Sequence, residues 1–178
     1  AALAPVQKHI NLFTNFHVFK DDAPNLCHHS GWVVLRSGIA PMTRENRPGE
    51  TIDVSEGGFA VVSMADSTRL TLPGGSSMQV AAYRYAPASP QTSVASFKLL
   101  KGAVRAVTGA IAKAEPNNVK FFTETATVGI RGTAIDISCT SVNGGLVVCS
   151  GGANLTVELR DGQIIVTSGN LNSVINAG

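Results

Sequence analysis

The sequence predicts an all-β fold: a twisted, solenoid- or sandwich-like module carrying an N-terminal β-strand extension. Two observations carry that expectation. The 178 residues include 18 Gly and are 44% hydrophobic but only 15% charged. That balance suits a real core built from short strands and tight turns. From Ser30 onward, apolar residues recur in runs of about four to seven, broken by Gly, Pro, Asn and Asp. The runs follow no strict fixed-length repeat, so a regular β-helix is not demanded.

Residues 1–30 stand apart, holding all four His, three of the seven Phe and no Gly. Within 9–20, Ile10, Leu12, Phe16 and Val18 alternate at period two with Thr14 between them, while Phe13 and Phe19 join the opposite face. This is a strand pattern. Asp21-Asp22-Ala23-Pro24-Asn25 reads as a polar linker. The expected organisation is an extension over 1–30 and a β domain over 31–178.

In that domain, Trp32 to Leu35, Thr51 to Val54, Phe59 to Met64, Arg69 to Leu72 and Met78 to Tyr85 read as strands. Residues 97–112 also fit a helical stripe through Phe97, Leu100, Val104, Val107 and Ile111. Gly102 and Gly109 would each weaken such a helix by ~1 kcal/mol, and Lys101-Gly102 reads equally well as a turn. Strand, turn, strand is favoured, followed by one helical turn near Ala110 to Lys113. Val119 to Thr123, Ala126 to Ile130, Ala134 to Thr140, Leu146 to Cys149, Leu155 to Leu159 and Ile164 to Thr167 continue as strands. Asn143-Gly144-Gly145 and Asp161-Gly162 read as hairpin turns.

Charge and motifs narrow the function. The net charge is +2 and the basic residues are scattered, which argues against a nucleic-acid partner. No apolar run approaches the ~20 residues of a membrane helix. Ala1-Ala2-Leu3-Ala4 suits a mature chain after signal-peptide removal, so a secreted protein, periplasmic or extracellular, is expected. There is no Gly-x-Ser-x-Gly elbow, the acids form no paired-carboxylate pattern, and neither Pro73-Gly74-Gly75-Ser76 nor Ser150-Gly151-Gly152 continues as a phosphate loop. We expect no enzyme and no cofactor. Cys27-His28-His29 lacks the spaced ligand pairs of a structural zinc site, and adjacent His point to opposite sides of an extended chain. No metal is expected.

Thr125-Ala126-Thr127-Val128-Gly129-Ile130-Arg131-Gly132-Thr133 closely resembles the signature segment of FecR-type periplasmic domains, a family named for the regulator of iron-citrate uptake. Leu99 to Gly109 is similar to the strand preceding that signature, and Pro48 to Ile52 and Asp66 to Leu72 match earlier strands in order. The resemblance spans roughly 31–170, with Val128, Gly129, Ile130, Arg131, Gly132 and Thr133 as its specific core. It implies a twisted, solenoid-like β module outside the inner membrane that relays signals or makes protein contacts, with no catalytic motif residue. The chain shows neither the cytoplasmic segment nor the membrane helix of full-length regulators. Independently of the family, Gly129 and Gly132 permit a bulge or a close contact between layers.

A three-residue loop over 143–145 pairs 142 with 146 and so brings Cys139 opposite Cys149, at disulfide range; a two-residue loop would separate them. Cys27 is then left over, as a free or intersubunit thiol. The apolar extension must be buried somewhere, and four large side chains represent roughly 6–12 kcal/mol of gross burial. The leading expectation is a structural, self-assembling extracellular filament subunit. Residues 9–20 would act as donor strand on a neighbour, giving a head-to-tail homo-oligomer. The alternative is a monomeric periplasmic sensing or adaptor module that binds a receptor or ligand.

Overall fold

The computed structural model describes residues 10–12, 32–37, 40–45, 49, 51–54 and 56–177. Among them the strands are β1 (Ile10–Leu12), β2 (Trp32–Ser37), β3 (Ala40–Glu45), β4 (Thr51–Val54), β5 (Phe59–Ser63), β6 (Arg69–Pro73), β7 (Ser77–Arg84), β8 (Val94–Lys101), β9 (Ala103–Val107), β10 (Val119–Phe122), β11 (Thr127–Thr140), β12 (Asn154–Ser168) and β13 (Leu171–Asn176). One short helix, α1 (Ala110–Ala114), links β9 to β10. The fold is all-β. β2 and β3 form a separate antiparallel hairpin.

The remaining strands make one branched sheet organised by β11. One edge of β11 pairs with β10 at residues 127–129 and with β9 at residues 134–138. β12 runs antiparallel along β11 from 127 to 140. Two arms leave this central strand: β10, β8, β7, β4 and β1 on one side of the branch, and β9, β6 and β5 on the other. β8 and β9 are joined only by the turn at Gly102 (φ +81°). The chain therefore passes from the first arm to the second in a single residue.

Both arms close on a single core. Alternate residues point inward, as period-two patterning requires: Val80, Phe97, Leu99, Phe121, Val128 and Ile130 from the first arm, Ala60, Val62, Leu70, Leu72, Val104, Ala106, Ile135 and Ile137 from the second, all buried. Phe97 and Phe121 are register partners on the parallel pair β8–β10, with ring centroids 4.9 Å apart. Such a pair adds about 0.5–1.5 kcal/mol beyond its buried area.

β11 crosses between the arms through a bulge. Arg131 pairs with Gln163 and Ala134 with Asp161, so β11 carries one extra residue there; β12 then carries one, and register is recovered at Ile135↔Leu159. Asp161-Gly162 was expected to be a hairpin turn. Instead it lies inside the continuous strand β12, with Gly162 at φ +92° absorbing the irregularity. The turn at the end of β12 falls later, at Gly169 and Asn170.

Candidate functional site

Most of the residues proposed for an assembly strand lie outside the described residues: Phe13, Phe16, Val18 and Phe19 do, as do Cys27 and the Cys27-His28-His29 cluster. Ile10 and Leu12 are described, and their backbone runs parallel on β4 of the same chain, with Ile10↔Ile52 and Leu12↔Val54 as partners.

The signature residues are placed at the branch of the sheet. Val128 and Ile130 are buried, while Gly129 faces outward and Arg131 is exposed. Gly132 and Thr133 occupy the bulge. Arg131 donates from Nη2 to Asn117 Oδ1 at 3.4 Å, tying the strand to the turn before β10. A side chain at Gly129 would meet only Ile165, at 3.8 Å. This glycine is therefore the floor of a trough rather than a packing requirement. The trough holds about 340 Å³ and is lined by Asn117, Lys120, Thr127, Arg131, Ile165 and Thr167 among others.

Cys139 and Cys149 are joined by a disulfide with a Cα separation of 5.2 Å. The route to it differs from the three-residue hairpin. Thr140 bridges Leu146, and the Val147 N–H donates to the Cys139 carbonyl at 3.0 Å, so Val147, not Cys149, stands opposite Cys139. The segment then turns onto the β8–β9 connection, where the Cys149 N–H donates to Leu100 O (2.9 Å) and the Gly102 N–H to Val147 O (3.0 Å). Both cysteines are almost fully buried. The bond fastens the 141–149 loop over the crossover between the arms.

Sequence reasoning missed a buried polar knot at the far end of the core. Asp66 and Thr68 are each 1% exposed. The Asp66 carboxylate accepts from Thr68 Oγ1 (2.8 Å), Thr68 N (3.2 Å), Tyr83 Oη (3.1 Å) and Ile111 N (3.4 Å). Tyr83 Oη in turn accepts from the Asp66 N–H at 3.0 Å, and Thr68 Oγ1 accepts from the Gly109 N–H at 2.9 Å. Burial, with the Asp66 charge beside it, pushes the Tyr83 hydroxyl well above the usual phenol range. The knot joins the β5–β6 turn, β7 and the start of α1. Asp66 also lies in the turn between β5 and β6, where Ser67 beside it has φ +68°.

The outer faces of the two arms differ in charge. On the second arm Arg105 and Arg160 are matched by acids: Asp136 lies 2.5 Å from Arg160 and 3.7 Å from Arg105, and Arg160 approaches Glu158 at 3.9 Å. On the first arm, cations stand alternately with neutral residues, as described below. The C-terminal strand β13 is exposed along its whole length, with Leu171, Val174 and Ile175 at 75%, 59% and 41% exposure. Among the described residues no cluster of three or more His, Cys, Asp or Glu could hold a metal ion. No helix among them is long and apolar enough to cross a membrane.

The family model described as FecR protein matches residues 50–165, the branched sheet from β4 into β12. Two solved structures of a candidate anti-sigma factor from Parabacteroides distasonis are similar at 17% identity, with TM-scores of 0.40 and 0.37. Each match covers 71% of this chain and 59% of that one, so the chain spans about three-fifths of their length. No curated protein matches.

The family match overturns the expectation of an extracellular filament subunit with a donor strand, and with it the head-to-tail homo-oligomer. The matched segment is the module that the resemblance ties to signal relay.

Proposed function

The chain belongs to the FecR protein family, and on that premise we propose that it is a regulatory sensing or adaptor module of the periplasm, acting by contact with a different protein. The observation that carries this reading is β13. An edge strand leaves a row of backbone donors and acceptors without ladder partners, and such edges are normally short, charged or covered. β13 instead extends over six residues and carries no charged residue, with Leu171, Val174 and Ile175 in solvent. All six of its residues are laddered to β12, over residues 163–168. Among the described residues this edge pairs only with β12, and an uncharged edge with three exposed apolar side chains is suited to receiving a partner strand or loop.

The test is site-specific photocrosslinking in the native cell envelope from Asn172, with Arg69 on the second arm as the comparison position. A covalent product with a different protein from position 172, absent from position 69 and lost on Val174→Lys, supports the reading. No product, or only a product of the chain with itself, refutes it.

A further inference from the structure

The outer face of the first arm carries a one-signed charge pattern. Register aligns three rows: Lys98, Phe122, Thr127, Thr167, Asn172 across β8, β10, β11, β12 and β13; then Ser96, Lys120, Gly129, Ile165, Val174 across the same strands; then, beyond the end of β10, Arg131, Gln163, Asn176 across β11, β12 and β13. These residues are exposed or half-buried while their neighbours along each strand point to the core or to the far side. Three are cations and none is an acid. Among the described residues, Lys98 and Lys120 make no ion pair and Arg131 has the neutral Asn117 as its partner. The second arm, by contrast, matches Arg105 and Arg160 with Asp136 and Glu158. Acids flank this face only in the connections, Glu115 before the turn at 116–118 and Glu124 between β10 and β11, and none stands in the three rows.

Two of the cations, Lys120 and Arg131, line a depression, and Lys98 stands one strand beyond Lys120. Gly129 removes a side chain from the middle of the middle row, leaving the trough of about 340 Å³ with Lys120 as its register neighbour on one side and Ile165 on the other. Arg131 closes one end, and Thr127 and Thr167 line the other with hydroxyls. A trough one residue wide, with cations beside it and an apolar wall, fits a single extended chain better than a flat surface.

We propose that this trough is a docking site for an acidic, extended segment of a partner protein, with carboxylates on Lys98, Lys120 and Arg131 and a small or apolar residue over Gly129. The inference rests on the contact reading above and adds the chemistry of the partner. Its energetics would be those of surface complementarity: modest affinity, partner selection and salt sensitivity.

The test uses the full chain and a fluorescent peptide of alternating Glu and Val, followed by anisotropy. Binding should weaken about tenfold or more in the Lys120→Glu/Arg131→Glu variant, remain unchanged in Arg69→Glu, and fall as salt rises from about 0.05 M to about 0.5 M. The melting temperature of the double variant shows whether it is folded. If it is not, Gly129→Leu, which fills the trough without changing charge, should weaken the same peptide. Equal binding of a Lys-Val peptide, binding untouched by these variants, or binding to phosphatidylglycerol vesicles without binding to the peptide would overturn the proposal. Crosslinking from Asn172 separates the two readings. A product that persists in Lys120→Glu/Arg131→Glu leaves the contact role standing and removes the acidic partner, whereas no product in the unmodified chain removes the contact role itself.

Discussion

Replacing Tyr83 by Phe removes one oxygen from the buried knot and leaves the ring in place, so the change isolates two hydrogen bonds without opening a large cavity. The hydroxyl donates to Asp66 Oδ1 at 3.1 Å and accepts from the Asp66 N–H at 3.0 Å. A hydrogen bond to a charged group contributes about 1.5–3 kcal/mol, and a buried donor left without a partner costs about 1–3 kcal/mol. The carboxylate keeps its bonds from Thr68 and Ile111, which limits the loss on that side. The expected destabilisation is about 3 kcal/mol, a large share of the roughly 5–15 kcal/mol that holds a typical domain together. For a chain of this size it corresponds to about 6–12 °C in melting temperature.

Urea unfolding followed by far-ultraviolet circular dichroism measures it, with the slope against urea expected to stay constant. Thr68→Val in the same background gives a double-mutant cycle. Both residues serve one carboxylate, so the coupling should exceed about 0.5 kcal/mol. A loss below about 1 kcal/mol for Tyr83→Phe, with no coupling to Thr68, would refute the account of Asp66 as a shared acceptor holding three segments.

Three further outcomes follow from the same structure. Gly109→Ala would set a methyl 2.0 Å from Asp66 O and 2.5 Å from Thr68 N, both backbone atoms that cannot swing away, so a loss of about 4 kcal/mol or failure to fold is expected on expression and thermal melting. Cys139→Ala/Cys149→Ala opens a cross-link spanning a sequence separation of 10, and chain entropy puts the cost near 2.7 kcal/mol by urea unfolding. The raised Tyr83 hydroxyl makes stability fall with alkali. Below about pH 10 the phenol is neutral in both the folded and the unfolded chain, and above it the unfolded chain alone releases the proton, so stability declines with rising pH through that window. Tyr83→Phe should flatten the decline, as read from urea midpoints at successive pH values.

The fold was legible where local pattern governs it. Strand alternation, the β8–β9 turn at Lys101-Gly102 and the helical turn after Gly109 follow from apolar spacing and glycine position. The crossing of β11 was also written in the chain, in a form easy to overlook. Val128 and Ile130 point inward, and so do Ile135, Ile137 and Cys139, a switch of parity that only an inserted residue allows. Asp161-Gly162 misled because the same dipeptide serves a hairpin turn or a bulge, and the long ladder on both sides decides between them.

The buried knot was not legible. Asp66 finds its partners 17 and 45 positions away, and nothing in Asp-Ser-Thr distinguishes a buried acceptor from a surface turn. The basic face was hidden for a related reason. Lys98, Lys120 and Arg131 look scattered along the chain and become neighbours only through the parallel β8–β10 and antiparallel β10–β11 registers.

A strand laddered to both arms at once has a mechanical consequence. For β11 to slide by one residue against β10, it would also have to shear its bonds to β9 and to β12, and every inward side chain on it would swing out to water. A pull on the C-terminal hairpin thus arrives at both halves of the molecule together, and the module answers load as a single stiff body rather than as two that can be pried apart.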